Sequence, residues 1–355
     1  MDLLDQITEL SHEFGSTAYV RGGGGNTSAK DDSTLWVKPS GTTLAGLKSS
    51  DFVAMDRSKL GRLYDVTPPQ ETAAREALVK EMTQQAVLPQ GPGRASVEAP
   101  LHDSLAARYV VHTHPALVNG MTCGKNGKSA GQKCFPQSLW IDYVDPGYTL
   151  CMQVRKAIQR YAKDFGREPS LIFLKNHGLF VAANEADEIR KLYSAVLTTL
   201  QRHYQSRGIR CELTVGAEPD AADVAAAKEN VRQAFGDPDI CVAASGPFAL
   251  AQGPVSPDHI VYAKSYYMTE QPTAETVRAF RAKHGYRPHI AAFGPVVLGI
   301  GPTQKKAALA LELAQDAALV RQLAEAFGGI DYMSDTARAF IENWEVESYR
   351  SQQVQ

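Results

Sequence analysis

Apolar positions recur at three- and four-residue intervals over residues 2–14. Leu3, Leu4, Ile7, Leu10 and Phe14 fall on one face, so an amphipathic helix is expected there. The pattern then changes to short apolar runs set off by turn residues. Residues 18–21, 35–38 and 52–55 read as strands, with Gly22 to Gly25 and Asn26-Thr27-Ser28 as a loop after the first. These strands are too close together for helical crossovers, which predicts a hairpin-rich sheet. A helix is expected over 72–84, and another starts near Glu98 with Pro100 in its first turn. Tyr109 to Val111 is a strand that runs into His112-Thr113-His114 and stops at Pro115, which has no N–H to donate. Residues 120–131 are rich in Gly and Lys and read as a mobile loop. A helix over 151–165, strands over 171–174 and 179–183 and a long amphipathic helix over 185–205 follow. Beyond residue 216 the spacing predicts a linker helix over 217–230, strands over 260–262 and 295–298, and helices over 273–283, 306–323 and 334–344.

This alternation implies an α/β fold with a mostly antiparallel central sheet flanked by helices over residues 1–215. A smaller C-terminal α/β domain of structural or assembly role is expected over 216–355.

Composition narrows the picture. Of 355 residues, 44% are hydrophobic and 21% charged, enough for a sizeable core, and the formal net charge of −2 points to neither nucleic acid nor an anionic membrane. No apolar run approaches the roughly 18 residues of a membrane span. The N-terminus lacks the basic-then-apolar order of a signal peptide. Five scattered cysteines, none in C-x-x-C spacing, fit a reducing cytoplasm.

Candidate chemistry centres on His112 and His114. Residues i and i+2 of a strand share a face, so two imidazoles leave the backbone side by side, as metal ligands or as core histidines. His177, in the turn between two buried strands, is the natural third ligand. Three histidines suit Zn²⁺, or another borderline ion such as Mn²⁺ or Co²⁺, and leave a position open for substrate. Glu98 could serve as an acid/base beside a metal, or as a charge complementing a helix N-terminus. The glycine run with Asn26, then Ser40, Gly41, Thr42 and Ser96, offers small donors of the kind that cradle a phosphate or form ordinary turns. Gly299-Ile300-Gly301 looks like part of a dinucleotide loop but lacks the third glycine and a following ribose-binding acid.

Gly24-Gly25-Asn26-Thr27-Ser28, Lys38-Pro39-Ser40-Gly41-Thr42, Glu98, His112-Thr113-His114 and Asn176-His177-Gly178 occur in an order that resembles the class II aldolase/adducin family over roughly residues 1–210. The family is typified by fuculose- and rhamnulose-phosphate aldolases. The resemblance implies a three-layer, metal-dependent domain in which His112, His114 and His177 hold the metal and Glu98 is the acid/base. It implies that Asn26, Ser40, Gly41, Thr42 and Ser96 meet a phosphate. There is one departure. The family often has two small hydroxyl residues before the glutamate, where this chain has Ser96-Val97.

Ser256-Pro257-Asp258-His259-Ile260 and residues 299–306 resemble the connecting region of long bacterial proteins in which such an aldolase precedes a short-chain dehydrogenase. With the chain ending at Gln355, the resemblance implies aldolase chemistry without the redox domain.

The expected function is aldol cleavage of a phosphorylated ketose, through a metal-stabilised enediolate, to a ketone phosphate such as dihydroxyacetone phosphate and an aldehyde. Decarboxylation of a 3-oxo sugar-acid phosphate, epimerisation or dehydration would use the same scaffold, and a non-catalytic adducin-like module is the alternative class. The partner would be a small sugar phosphate. The family usually forms rings, often tetramers, with active sites at subunit contacts, so a homo-oligomer is expected, whose contacts a tail aromatic such as Tyr349 could reach.

Overall fold

A computed structural model describes residues 2–89 and 93–344. The chain divides into two compact units, residues 1–118 with 127–200, and residues 119–126 with 201–355. Tyr349 lies outside the described residues.

The first part of the chain runs α1 (Leu3–Glu13), β1 (Asn26–Lys30), β2 (Thr34–Val37), β3 (Val53–Asp56), α2 (Arg57–Gly61), α3 (Thr72–Ala86), α4 (Ala99–Asp103), β4 (Tyr109–Thr113), α5 (Ala116–Thr122), α6 (Gly127–Cys134), β5 (Leu139–Ile141), α7 (Tyr148–Phe165), β6 (Leu171–Leu174), β7 (Gly178–Ala183) and α8 (Ala186–Gln205). Seven strands form one sheet in the order β3-β2-β1-β4-β7-β6-β5. Every pairing is antiparallel except β5 with β6, as the close strand spacing implies.

Three layers follow from the two faces of β4. Val110 packs into a core with Leu101, Val154 and Ile158 beneath α4 and α7. On the other face the Tyr109 hydroxyl bonds Gln6 of α1 at 2.7 Å, and Thr113 and Tyr193 of α8 share a hydroxyl bond of 2.8 Å.

Two expectations fail here. Residues 18–21 are not a strand. The strand is β1, drawn from the stretch read as a loop. All but Ala29 of its residues are polar yet buried, because β2 and β4 take its backbone groups and its side chains find partners. Thr27 reaches Ser11 of α1 at 2.7 Å, whereas Asn26, Ser28 and Lys30 share the opposite face by the two-residue period. Residues 120–131 are not a loop either but fall largely in α5 and α6. Gly120 and Gly124 are needed there for close packing, since a Cβ would collide with Leu323 and Phe327 respectively.

The later part runs α9 (Ala221–Phe235), β8 (Cys241–Ser245), α10 (Pro257–Ala263), α11 (Ala274–His284), β9 (Ile290–Phe293), β10 (Val296–Gly301), α12 (Gln304–Ala324) and α13 (Asp335–Asn343). Its sheet, β8-β10-β9, is antiparallel. One face packs Leu298 and Ile300 against Val231, Phe235 and Val277. On the other, a Cβ at Gly299 or Gly301 would run into Ala307 of α12. Those glycines therefore admit a helix to the sheet, and their resemblance to a cofactor loop has a packing cause. Residues 260–262, expected as a strand, lie in α10. Pro257 starts the helix, the Ser256 hydroxyl bonds His259 Nδ1 at 2.7 Å, and His259 Nε2 reaches Asp316 of α12 at 3.1 Å. Tertiary anchoring has overridden the β-preference of Ile260 and Val261.

Candidate metal centre

The sheet register builds the centre. His112 lies opposite Asn26 on β1 and opposite Phe180 on β7. Its ring stacks on Phe180 with centroids 3.9 Å apart and planes 11° from parallel. His112 Nδ1 lies 3.0 Å from the Leu179 carbonyl. An acceptor there requires the Nδ1–H tautomer, which turns the Nε2 lone pair toward the centre.

His114 Nε2 is 2.9 Å and His177 Nε2 3.3 Å from His112 Nε2. Metal–nitrogen bonds of about 2.0–2.1 Å in a tetrahedron place neighbouring nitrogens about 3.3–3.4 Å apart, so the donor set fits a borderline divalent ion. These three are the cluster of metal-competent side chains found among the described residues.

The turn that carries His177 depends on its neighbours. Asn176 takes a positive φ of 52°, which asparagine tolerates better than most residues. A Cβ at Gly178 would collide with the Thr113 carbonyl and crowd the His114 ring. Glycine there lets the turn close onto the H-x-H segment. Gly25, at φ 66°, similarly passes beside the His112 carbonyl.

Glu98 sits just before α4 and does not cap it with its side chain. Its carboxylate faces the histidines, with Oε2 3.6 Å from His112 Nε2 and Oε1 3.8 Å from His177 Nε2. Oε2 accepts a 2.5 Å hydrogen bond from Asn26 Nδ2, whereas Oε1 is buried without a hydrogen-bond partner. Such an orphaned oxygen, beside three converging nitrogens, suits a bound cation or a substrate proton.

Burial raises the Glu98 carboxyl, but His112, His177 and the Asn26 N–H outweigh it and hold the group below the ordinary carboxylate range. Burial also pushes His112 well down, against the pull of Glu98. With His112 neutral, the Asn26 N–H is the nearest group left to keep Glu98 ionised. A neutral His112 beside an ionised carboxylate is the protonation that binding of a divalent ion requires of those two groups.

The proposed phosphate residues divide. Asn26 is engaged inside the protein at both ends of its amide, by Glu98 and by His102. Ser96 Oγ accepts from the Glu98 N–H at 3.3 Å and from Asn26 at 3.4 Å, which leaves its own O–H to donate. The half-buried Ser40-Gly41-Thr42 turn runs beside it, with Pro39 bridged to Ala95 and the Ser40 N–H donating to the Arg94 carbonyl at 2.7 Å. Thr42 gives its hydroxyl to the Pro39 carbonyl at 2.9 Å and so secures the turn.

Sequence reasoning missed His102 and Lys30. His102 bonds Ser28 at 2.7 Å and also bonds Asn26. Lys30 Nζ donates to the carbonyls of His102, Leu105 and Ala107 at 2.7, 2.7 and 3.0 Å. The sequence carried little signal for them, since Thr27 between Asn26 and Ser28 is polar too and no clean alternation marks the face that Asn26, Ser28 and Lys30 share.

A mixed, mostly antiparallel sheet carrying a three-histidine and glutamate centre defines the class. The chain belongs to the class II aldolase and adducin N-terminal domain family, whose model matches residues 5–204. It is similar to a protein of Bacillus subtilis (strain 168) described as the uncharacterized oxidoreductase YuxG, at 24% identity over 58% of this chain. The match spans only 30% of that relative's length.

Among solved structures it resembles the N-terminal class II aldolase domain of a conserved protein from Thermoplasma acidophilum, at 21% identity and TM-score 0.48, covering 56% of this chain and 92% of that one. It also resembles the L-fuculose-1-phosphate aldolase of Thermus thermophilus, at 16% identity and TM-score 0.40, covering 58% and 95%. Among the described residues no helix is long and apolar enough to cross a membrane.

Proposed function

We propose that the protein is a divalent-cation-dependent carbon–carbon lyase that cleaves a phosphorylated ketose to a ketone phosphate, such as dihydroxyacetone phosphate, and an aldehyde. The observation that carries this reading is the convergence of three imidazole nitrogens on a buried carboxylate whose Oε1 has no hydrogen-bond partner. His112, His114 and His177 would hold the ion, with Zn²⁺ the best match to three nitrogens at this spacing. When bound, such an ion supplies positive charge that stabilises an enediolate.

The protein's own groups do the rest. The carbinol hydroxyl gives up its proton and becomes the aldehyde carbonyl as its carbon parts from the carbonyl-adjacent carbon, and the electron pair left on the latter takes up a proton, so one proton is lost and one gained overall. Glu98, ionised at rest, would take up a proton on Oε1 and pass it to that carbon, a role supported by the absence of any hydrogen-bond partner on Oε1. Asn26 holds Oε2, so the carboxylate meets the carbon in one orientation. The Ser96 hydroxyl and the Ser40-Gly41-Thr42 turn supply neutral donors for the phosphate, the end of the substrate that does not react. Residues 216–355 we assign a structural or assembly role, supported by the packing of Gly299 and Gly301 on α12.

The test is a product screen. Zinc-loaded protein is incubated with a panel of ketose 1-phosphates, and dihydroxyacetone phosphate release is followed by a coupled assay. Release from one or a few stereoisomers is expected. Inertness toward every ketose phosphate, with carbon dioxide evolved from a 3-oxo acid phosphate, would replace cleavage by decarboxylation.

A further inference from the structure

Ser28, His102, Asn26 and Glu98 form one continuous hydrogen-bonded row that ends at the metal centre. Ser28 and His102 Nδ1 are 2.7 Å apart, His102 Nε2 bonds Asn26 Oδ1, and Asn26 Nδ2 reaches Glu98 Oε2 at 2.5 Å. The direction of every bond is forced from the acid end. Asn26 points Nδ2 at Glu98 Oε2 and also at Ser96 Oγ, so the NH₂ end of its amide faces the acid. Its carbonyl oxygen then faces His102 and needs a donor. His102 must therefore carry its hydrogen on Nε2, which leaves Nδ1 to accept the Ser28 hydroxyl hydrogen.

We infer that His102 is a positioning residue for Glu98: its Nε2–H locks the Asn26 amide, which grips Oε2 and leaves Oε1 free on the side of His177. The inference rests on the reading of Glu98 as the proton carrier. Several features make the lock rigid. His102 is fully buried, with its ring edge-on to Phe180 at 5.4 Å. Its backbone carbonyl is held by Lys30 Nζ at 2.7 Å. Asn26, Ser28 and Lys30 are alternate residues of β1, so one strand face sets the whole row. Burial, with the Lys30 charge second, keeps the imidazole neutral, and so able to donate and accept at once.

A residue that only filled space would be replaceable by any side chain of similar volume. His102 differs because a turned-over Asn26 amide would present an oxygen to the carboxylate and push it away. The test compares His102→Leu with His102→Gln in the full-length, metal-loaded protein. Gln can place an N–H near the position of Nε2, and Leu cannot.

Both variants should retain metal. In crystals of His102→Leu the Asn26 amide should turn over or the Glu98 carboxylate should leave its position. Its kcat should fall about 10- to 100-fold, with KM changed less than about threefold. His102→Gln should restore the Glu98 position and most of kcat. A folded Leu variant with Glu98 unmoved and kcat within about twofold of the parent overturns the inference, as does a Gln variant no better than Leu.

Should His102→Leu fail to fold, ¹⁵N-histidine spectra of the parent and of Ser28→Ala decide. The parent and Ser28→Ala should both show the Nε2–H tautomer, because the Asn26 oxygen fixes it, and an Nδ1–H tautomer in either overturns the inference. The crystallographic and spectroscopic readouts need no substrate. If the parent cleaves no ketose phosphate, the lyase reading fails while this inference is still judged.

Discussion

Asn26 and His112 are Cα partners in the β1–β4 ladder, so their side chains rise from the same face of the sheet. The strand that supplies the first imidazole is thereby registered against the strand that holds the carboxylate. A one-residue slip would turn Asn26, Ser28 and Lys30 toward α1 and dismantle the centre at once.

The metal is the first expectation. Purified protein should carry about one divalent ion per chain, measured by elemental analysis. His177→Ala should lower that content at least 10-fold, because the remaining two nitrogens leave an incomplete shell. Stoichiometric metal retention by His177→Ala would remove it from the ligand set.

Glu98→Gln should keep the fold and the ion, since Oε1 is unpartnered and a neutral amide fits the space. Turnover should drop about 10²- to 10⁴-fold, the usual range for a lost general acid/base. Stopped assays on metal-matched samples check this, and near-normal rates would return Glu98 to a structural role.

Ser96→Ala removes the hydroxyl hydrogen left to donate beside Glu98. KM for a phosphorylated ketose should rise about 10-fold, a loss near 1.4 kcal/mol, with little change for the unphosphorylated sugar. Equal effects on both would indicate that the phosphate lies elsewhere.

Burial pulls Lys30 down to about 7, from an ordinary value of 10.5. Between those values the unfolded chain binds a proton that the folded chain does not, so this group makes stability rise with pH over that window and removes the gain as pH falls through 7. Denaturant titrations at pH 7, 8 and 9 should show the parent gaining on Lys30→Met as pH rises. At any of these pH values Lys30→Met should still be less stable, by about 2–4 kcal/mol, because the carbonyls of His102, Leu105 and Ala107 lose a donor that supplies three N–H groups when charged and two when neutral. A flat difference across the range would mean that Lys30 stays charged throughout.

Gly299→Ala drives a methyl group into the Ala307 carbonyl and Leu311. A loss of about 1–3 kcal/mol in unfolding free energy is expected. Calorimetry with NAD and NADP should show no binding at micromolar concentrations, and heat of binding there would restore the dinucleotide reading of this turn.

Much of the molecule follows from the chain alone. The H-x-H before Pro115 and the His177 turn stand out in the chain, and the order of five motifs marks the family. Helices α1, α7, α8 and α13 are legible from their periodicity, because an amphipathic face is a local property of spacing.

The elements that only the tertiary structure decided are those whose local preference is weak or contrary. β1 is five residues of Asn, Thr, Ser, Ala and Lys, a strand only because two neighbours take its backbone and Ser11, His102 and Glu98 meet its side chains. α10 is helical against the preference of Ile260 and Val261, because Ser256 and Asp316 anchor His259. The row from Ser28 to Glu98 joins residues about 70 positions apart. No spacing rule encodes such a contact, because hydrogen-bond partners across a sheet are set by register, and register is settled by the packing of the whole sheet.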